Sequence, residues 1–359
     1  MKKVSMFLAV AVLGTVKSFA QEAAAAATEA ATEVAAVANE AAAAANGEPI
    51  YLAPAEGGYT LPSFGGDDIN VVGVGEGVVL NMQDKTPGVN ADVNIENVEI
   101  VFSNNNYKGF QHTGAEYYKN CTIVGQPFLY GENVVFDNCT FKQTSADAYN
   151  VWTYGAKNVT FNGCTFESAG KAVLVYSESR DLVQTVTFND CVLNASAPVA
   201  GKAAIEIDSS LVSDFTVNIN NTVANGFGFG SVSCNSLWNE KKGDNCTVNV
   251  DGVEQGKTVV TNAAGFKYLA TVVLADGSKN ITAELANDID LAGIEWPAVK
   301  TSAAFVLDGK GYSIMNLTTS AVEDHGFYST AMFTSTRKAA TIKNLVVENA
   351  TVTGKGGDD

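Results

Sequence analysis

Short alternating runs of apolar and polar residues, rather than long helical periodicities, fill the chain from about residue 50 to residue 255. One six-residue pattern recurs: an aromatic residue, a polar pair, Cys, a β-branched residue and an apolar residue. Its copies are Tyr118–Ile123, Phe136–Phe141, Phe161–Phe166 and Phe188–Leu193, with degenerate copies at Asn94–Ile100 and Asn218–Val223. The cysteines follow one another at steps of 18, 25 and 27 residues, which is typical of stacked structural units. The pattern therefore predicts a β-solenoid rather than a globule with one central core.

Further alternating runs lie between the copies of this motif. They are Phe128–Tyr130, Val151–Tyr154, Ala172–Tyr176 and Ala204–Ile207. Each repeat thus holds a few short strands that cannot bury their own apolar side chains, and stacking the repeats buries them. We expect neighbouring coils to pair as parallel strands about 4.8 Å apart. The Asn residues fit the corners, because Asn tolerates left-handed backbone and stacked Asn side chains can bond to one another.

The two ends of the sequence have a different character. Residues 1–20 predict a secretory signal peptide, with Lys2 and Lys3 before an apolar stretch and a cut before Gln21. That stretch is too short to span a bilayer, and no later run is long and apolar enough to do so. Residues 21–49 are Ala-rich and predict a helical spacer, with a coiled-coil oligomerisation handle as the alternative.

In residues 256–359 the predicted strands are again separated by turns of Gly and Asn, but at different spacings. A short amphipathic helix is predicted at Ala264–Ala270, followed by strands that indicate a second β-solenoid module. The sequence shows no closing cap after its last strand, whereas terminal repeats normally need a polar one. We therefore expect either a fragment of a longer surface protein or a separate cover at that end. The predicted domains are residues 1–20, 21–49, 50–255 and 256–359.

These residues carry a likeness to known families. The run Phe136–Phe166 and its neighbouring copies resemble the right-handed parallel β-helix of the pectate-lyase-like superfamily. Asp147–Phe161 and Gly201–Asp208 are similar to surface proteins of gut bacteria, and the segment from Asn287 to Leu345 resembles the GLUG-type modules of bacterial adhesins. The resemblance implies an all-β, right-handed parallel β-helix. It says little about activity, because this fold hosts lyases, hydrolases and adhesins alike.

The charge of the chain narrows the choice of partners. Its formal net charge of −17 becomes −20 when Lys2, Lys3 and Lys17 leave with the signal peptide. A strongly acidic surface argues against nucleic acid and anionic membranes. Neutral glycans and cations stay possible, including structural calcium at acidic loops such as Asp67–Asp68, although no standard calcium motif is present. No cofactor is implied.

Two carboxylates are the best candidates for catalysis. Glu206 and Asp208 alternate with Ile205 and Ile207, so both project from one face of a strand. Carboxylates at this separation can serve in glycoside hydrolysis, but a solvated strand face gives the same pattern and is the expectation we favour. Arg180 is a weaker candidate, because its acidic neighbours indicate a salt-bridged loop.

Aromatic residues are the best candidates for binding. Along Tyr149–Tyr154 the residues alternate, so Trp152 and Tyr154 point outward if Val151 points inward. We take Trp152, Tyr154 and Tyr149 as the predicted binding residues. Outward rings would form a flat stripe suited to sugar rings, whereas inward rings would simply be core. Four cysteines share one position of the repeat and predict a buried, reduced ladder: Cys121, Cys139, Cys164 and Cys191.

The sequence as a whole favours a secreted or cell-surface bacterial protein without enzymatic activity. It would act as an adhesin or a glycan-binding or structural module, whose partner is a glycan or another component of a host or bacterial surface. The alternative is a polysaccharide lyase or glycoside hydrolase acting on acidic, plant or host glycans. The oligomeric state stays open.

Overall fold

The computed structural model describes most of the chain after residue 47. The described ranges are 48–60, 68–86, 91–111, 113–179, 181–209, 214–243, 245–256, 258–278, 280–297, 299–320, 322–324, 327–329, 331–333 and 335–354. The predicted signal peptide and nearly all of the predicted Ala-rich helix lie outside them, as does Arg180. The fold is all-β, with 46% strand and 4% helix. The predicted parallel β-helix is therefore confirmed.

The first stack of strands runs from residue 50 to residue 254. Its strands are β1 Ile50–Leu52, β2 Ile69–Gly73, β3 Val79–Gln83, β4 Val93–Glu96, β5 Glu99–Phe102, β6 Ala115–Lys119, β7 Thr122–Val124, β8 Asn133–Asp137, β9 Thr140–Lys142, β10 Val151–Trp152, β11 Asn158–Asn162, β12 Thr165–Ser168, β13 Val173–Tyr176, β14 Val183–Asn189, β15 Val192–Ala195, β16 Ile205–Ser209, β17 Asp214–Asn220, β18 Val223–Asn225, β19 Trp238–Gly243, β20 Cys246–Val250 and β21 Val253–Glu254.

These strands form three sheets. The long sheet has the order β1-β2-β4-β6-β8-β11-β14-β17-β20-β21, the second sheet β3-β5-β7-β9-β12-β15-β18, and the third sheet β10-β13-β16-β19. Each full coil visits the long, second and third sheets in turn and then returns to the long sheet one layer on. All of these pairings are parallel except the closing pair β20 and β21. This order is that of a solenoid, in which each coil covers the previous one.

The interior repeats because the motif repeats. Phe136, Phe161 and Phe188 are in register on β8, β11 and β14, and their side chains are buried. Their rings stack at centroid distances of 5.3 and 5.0 Å. Phe141 and Phe166 on the second sheet stack at 4.6 Å. Stacked aromatic rings combine a large buried area with favourable ring geometry, so this column dominates the core.

A left-handed residue turns the chain from the long sheet to the second sheet. Asn120 and Asn138 have φ of 51°, and Gly163 and Asp190 take the same corner at 58° and 54°. Asn, Asp and Gly are the residues that adopt this conformation most readily. A Cβ on Gly163 would also lie 2.8 Å from Oδ1 of Asn138. The predicted Asn corners are thus observed in successive coils.

The motif cysteine follows each of these corners and points inward. Cys121, Cys139, Cys164 and Cys191 are buried thiols. The Sγ atoms of Cys139, Cys164 and Cys191 donate to the carbonyls of Tyr118, Phe136 and Phe161 in the preceding coil, at 3.5, 3.3 and 3.4 Å. Each thiol is therefore satisfied by the backbone of its neighbouring coil.

A second stack follows from residue 258. Its elements are β22 Thr258–Val260, α1 Ala263–Tyr268, a π-helical turn Leu269–Val273, β23 Ile281–Leu285, β24 Ile289–Asp290, β25 Lys300–Thr301, β26 Phe305–Asp308, β27 Ser313–Met315, β28 Thr318–Ser320, β29 Val322–Asp324, β30 Phe327–Ser329, β31 Ser335–Thr336, β32 Ala340–Lys343, β33 Val346–Glu348 and β34 Thr351–Thr353. Most strands again pair in parallel, as in the orders β22-β23-β26-β32 and β24-β27-β33. Only β29 and β30 pair antiparallel among the described strands of this stack.

The two stacks have largely separate hydrophobic cores. Phe266, Leu285 and Leu307 belong to the second core, whereas Val259 on β22 packs with the first. The backbone joins them as well, because Val259 N donates to the carbonyl of Ser233 at 2.9 Å. The predicted domain boundary at residues 255 and 256 falls between β21 and β22 and stays a prediction.

Candidate functional site

The outward face of the third sheet gathers most of the candidate residues. Val151, Val173 and Ile205 point into the core, so the next residue on each strand points out. In register across β10, β13, β16 and β19 stand Trp152, Leu174, Glu206 and Asn239. Two residues further along these strands, Tyr176 is in register with Asp208. Aromatic residues thus occupy one end of this face and charged residues the other.

Six rings form the aromatic end, which we call the aromatic platform. Its members are Tyr107, Phe128, Tyr130, Trp152, Tyr154 and Tyr176. Phe128 stacks on Trp152 at 4.7 Å, and Tyr154 contacts Tyr107 at 5.5 Å and Tyr176 at 6.2 Å. Tyr107 is 44% exposed, and Trp152 and Tyr154 are half-buried, whereas Phe128 is buried and supports Trp152 from beneath. The platform therefore offers partly open rings on a rigid sheet.

Glu178 ties the platform together. Its Oε1 accepts a hydrogen bond from the hydroxyl of Tyr107 at 2.9 Å, and its Oε2 accepts one from Tyr154 at 2.8 Å. The hydrogen bond to Glu178 raises the pKa of Tyr107, and burial followed by the same carboxylate raises the pKa of Tyr154. Both hydroxyls therefore stay protonated and hold the tilt of their rings at neutral pH.

Tyr149 takes a different place from the other predicted binding residues. It is only 5% exposed, and its ring meets Trp152 edge-on at 6.0 Å. The ammonium of Lys171 lies 5.7 Å from its ring centroid. Tyr149 therefore supports Trp152 from the side and offers little surface to a ligand.

The carboxylates at the charged end are buried, so the expectation of a solvated strand face is wrong. Glu206 is 0% exposed and Asp208 6%. The chain that precedes β16 covers Glu206: the backbone N of Ala203 donates to its Oε1 at 2.7 Å, and Lys202 Nζ lies 3.5 Å from its Oε2. Alternation predicted the direction of both side chains correctly, but it could not show the segment that folds over them.

The electrostatics of this end follow from burial. Desolvation raises the pKa of Glu206, and Lys202, Ala203 N and Asn239 offset part of that rise. Lys241 Nζ lies 3.8 Å from Oδ2 of Asp208, and desolvation lowers the pKa of Lys241, with the charge of Lys202 adding to the effect. Raised and lowered pKa values side by side are typical of proton-transfer sites as well as of buried ion pairs.

A cavity of about 560 Å³ lies apart from the platform, where the end of β19 overhangs the second stack. Its walls include Lys241, Lys242 and two ion pairs. Lys310 Nζ meets Glu284 at 3.0 Å, and Lys343 Nζ meets Asp308 at 3.1 Å. A hydrogen bond from Asn344 is the main cause that lowers the pKa of Asp308 to about 2. The charges within these two ion pairs neutralise each other, which makes the cavity a weaker candidate than the platform.

Sequence reasoning missed three members of this site. The alternating runs predict that Phe128 and Tyr176 lie on strands, and the acidic neighbours of Arg180 predict a loop that includes Glu178. The register of Trp152 with Leu174 would have placed Tyr176 beside Tyr154, but register needs the coil lengths that only the structure shows. The described residues contain no group of three or more His, Cys, Asp or Glu that could hold a metal ion. In the same residues, no helix is long and apolar enough to cross a membrane.

No protein-family model matches the chain, and no curated protein or solved structure matches it either. The site must therefore be interpreted from its own geometry.

Proposed function

We propose that this protein is a secreted or cell-surface β-helix protein that binds glycans without cleaving them. The observation that carries the proposal is the aromatic platform, a set of contacting rings on the outside of a rigid parallel sheet. Aromatic faces stack on the apolar CH surfaces of sugar rings, and tyrosine hydroxyls and Glu178 supply polar contacts at the edge. A neutral glycan needs no charge attraction, which suits a chain of net charge −17.

Export and family likeness support the proposal from the sequence side. The signal-like residues 1–20 favour a place outside the cell or on the outer surface of a bacterium. The likeness of the first stack to pectate-lyase-like β-helices, and of the second to GLUG-type adhesin modules, favours a surface protein that adheres to glycans. On this proposal the first stack supplies the binding surface and the second stack extends it.

A lyase or hydrolase is the alternative, and the pKa pattern of Glu206 and Lys241 favours it. Its difficulty is access. Glu206 is fully buried and hydrogen-bonded on both oxygens, so a polysaccharide cannot reach it as the protein stands. Activity would require the covering segment to move.

A binding assay run beside a cleavage assay separates the two functions. The intact protein is applied to a glycan array, and the sugars that bind are incubated with it and assayed for new reducing or unsaturated ends. We expect binding without release. Release of new ends would overturn the proposal, and so would binding that Trp152→Ala leaves unchanged.

The matched control is Tyr312→Ala. Tyr312 is 38% exposed on the second stack and lies outside the platform, so it tests whether any exposed tyrosine contributes. We expect Tyr312→Ala to bind as the wild type does. Equal losses of glycan binding in Trp152→Ala and Tyr312→Ala would indicate nonspecific adhesion through exposed aromatic residues instead of a defined platform.

A further inference from the structure

Three side chains under the covering segment of the third sheet form an arrangement that the proposed function does not use. Lys202 Nζ lies 3.5 Å from Oε2 of Glu206, and Asn239 Nδ2 lies 3.2 Å from the same oxygen. Glu206 and Asn239 are neighbours in register on β16 and β19, and Lys202 stands four residues before Glu206. An amine and a carboxamide therefore converge on one buried carboxylate.

The carboxamide of Asn239 is held as an electrophile. Its Oδ1 accepts hydrogen bonds from the backbone N of Val232 at 3.0 Å and of Ser233 at 3.2 Å. Two backbone donors on one carbonyl oxygen polarise the carbonyl and stabilise negative charge that develops on that oxygen. Asn239 itself is fully buried, so water does not compete for these contacts.

We propose that Lys202 and Asn239 join in an intramolecular isopeptide bond, with Glu206 transferring the protons. The bond would connect two adjacent coils and fasten the covering segment to the third sheet. This inference is independent of glycan binding, and it assigns Glu206 a role that does not require access for a substrate.

The chemistry balances with these three groups alone. The Glu206 carboxylate takes a proton from the Lys202 ammonium, and the neutral amine attacks Cγ of Asn239. The Nζ–Cγ bond forms and the Cγ–Nδ2 bond breaks, while the carboxyl passes its proton to Nδ2 and receives a second one from Nζ. One ammonia leaves and Glu206 ends protonated, so no oxidant, reductant or cofactor is needed.

The surroundings favour the first proton transfer. Burial disfavours the ionised carboxylate and raises the pKa of Glu206. Removing an ion pair from water costs both charged groups their solvation, and a proton transfer within the pair avoids this cost because it yields two neutral groups. Holding the amine and the carboxamide on one carboxylate also replaces a bimolecular encounter by an intramolecular one.

Mass spectrometry of the folded, full chain tests the proposal directly. We expect an intact mass lower than that of the sequence by one ammonia, and a branched peptide that joins Lys202 to Asn239 after proteolysis. Lys202→Arg keeps the positive charge and Glu206→Gln keeps the shape of the side chain. Each variant should show the full mass of its own sequence, with no loss of ammonia. Lys171→Arg replaces another cation of the same face and should leave the cross-link intact.

Peptide mapping is essential because other residues can also lose ammonia. Gln21 would do so by cyclising at a cleaved N-terminus. Asn46, Asn162 and Asn225 can form succinimides because each precedes Gly. A loss that maps to any of these, or to Lys241, would overturn the assignment. A folded wild-type chain with its full mass would overturn it outright, whatever the variants do.

A melting experiment complements the mass measurement. If the bond forms, Lys202→Arg should unfold at a lower temperature than the wild type, whereas Lys171→Arg should differ little. Equal melting temperatures of Lys202→Arg and wild type, with each intact mass equal to that of its own sequence, would leave only a buried ion pair and so contradict the proposal.

Discussion

The long sheet and the third sheet are both built from parallel strands stacked coil upon coil, but their outer faces carry different kinds of side chain. Many outward positions of the long sheet carry Asn or Asp side chains that bond along the stack. Asn189 Nδ2 donates to Asn162 at 2.9 Å, and Asn220 Nδ2 donates to Asn189 at 2.9 Å. On the third sheet the outward positions carry Trp152 and Tyr176, followed by a covered ion pair.

This difference shows how a solenoid separates structure from function. In-register stacking places identical residues beside each other, so a repeated Asn satisfies its neighbours and leaves nothing for a ligand. The third sheet breaks the repetition, and its residues change from coil to coil. A binding surface is therefore expected where the repeat is broken, and the following predictions test that contrast.

The largest effect on stability is expected in the hydrophobic core, which lies behind both outer faces. Phe161→Ala removes a ring stacked between Phe136 and Phe188 and should lower the free energy of unfolding by about 3–5 kcal/mol. Denaturant unfolding followed by circular dichroism measures it. Val183→Ala, at a position that is 68% exposed, is the control and should stay within about 0.5 kcal/mol. Similar losses in both variants would contradict a continuous aromatic core.

The inner side of the long sheet carries a carboxyl whose effect depends on pH. Glu116 is buried, and desolvation raises its pKa above 4.5 despite hydrogen bonds from Thr113 and Tyr118. Because the folded pKa is raised, the unfolding free energy should fall as pH rises above about 4.5, by up to about 1.4 kcal/mol per pH unit, until the folded pKa is passed.

Glu116→Gln should lose this part of the pH dependence. The exposed Glu167→Gln is the control and should retain it. Unfolding curves collected from pH 4 to pH 8 for the three proteins measure the difference. A wild type and a Glu116→Gln variant with parallel pH profiles would show that Glu116 ionises normally.

Substitutions on the outer face of the third sheet should change glycan affinity more than they change stability. Trp152→Ala removes the central ring of the platform and should weaken binding to an array-identified glycan at least tenfold, or about 1.4 kcal/mol. Isothermal titration measures it. On the long sheet, Asn189→Ala breaks two rungs of the Asn ladder and should leave the affinity unchanged. If both variants bind equally well, the platform is not the binding surface.

The smallest effect is expected at the corners. Asn138 has φ of 51°, so Asn138→Ala should cost about 1 kcal/mol of stability. Asn138→Gly should cost less, because Gly163 already fills the same corner in the next coil. Thermal unfolding of the two variants checks the order. A more stable Ala variant would indicate that the corner relaxes out of the left-handed region.

Much of the fold follows from the sequence, because its determinants are local and repeated. The aromatic and cysteine positions of Phe161–Phe166 predict inward side chains, and Asn138 predicts a corner, from chemistry alone. The site follows less well. Tyr107 and Glu178 are 71 residues apart, and they meet only because intervening coils have particular lengths. Likewise, the burial of Glu206 depends on the path of the segment before β16, which carries no periodic signal.

The central claim is that the coils lie directly over one another in register. Outward positions of the long sheet form one column that contains Asn94, Thr187, Asn218 and Asn249. Spin labels at Asn94→Cys and at one of the other three, in a Cys246→Ser background, allow the distances to be measured by pulsed electron resonance. The account predicts distances near 19, 24 and 29 Å, rising by about 4.8 Å per coil. Distances that are equal, or that fail to rise in this order, would contradict it.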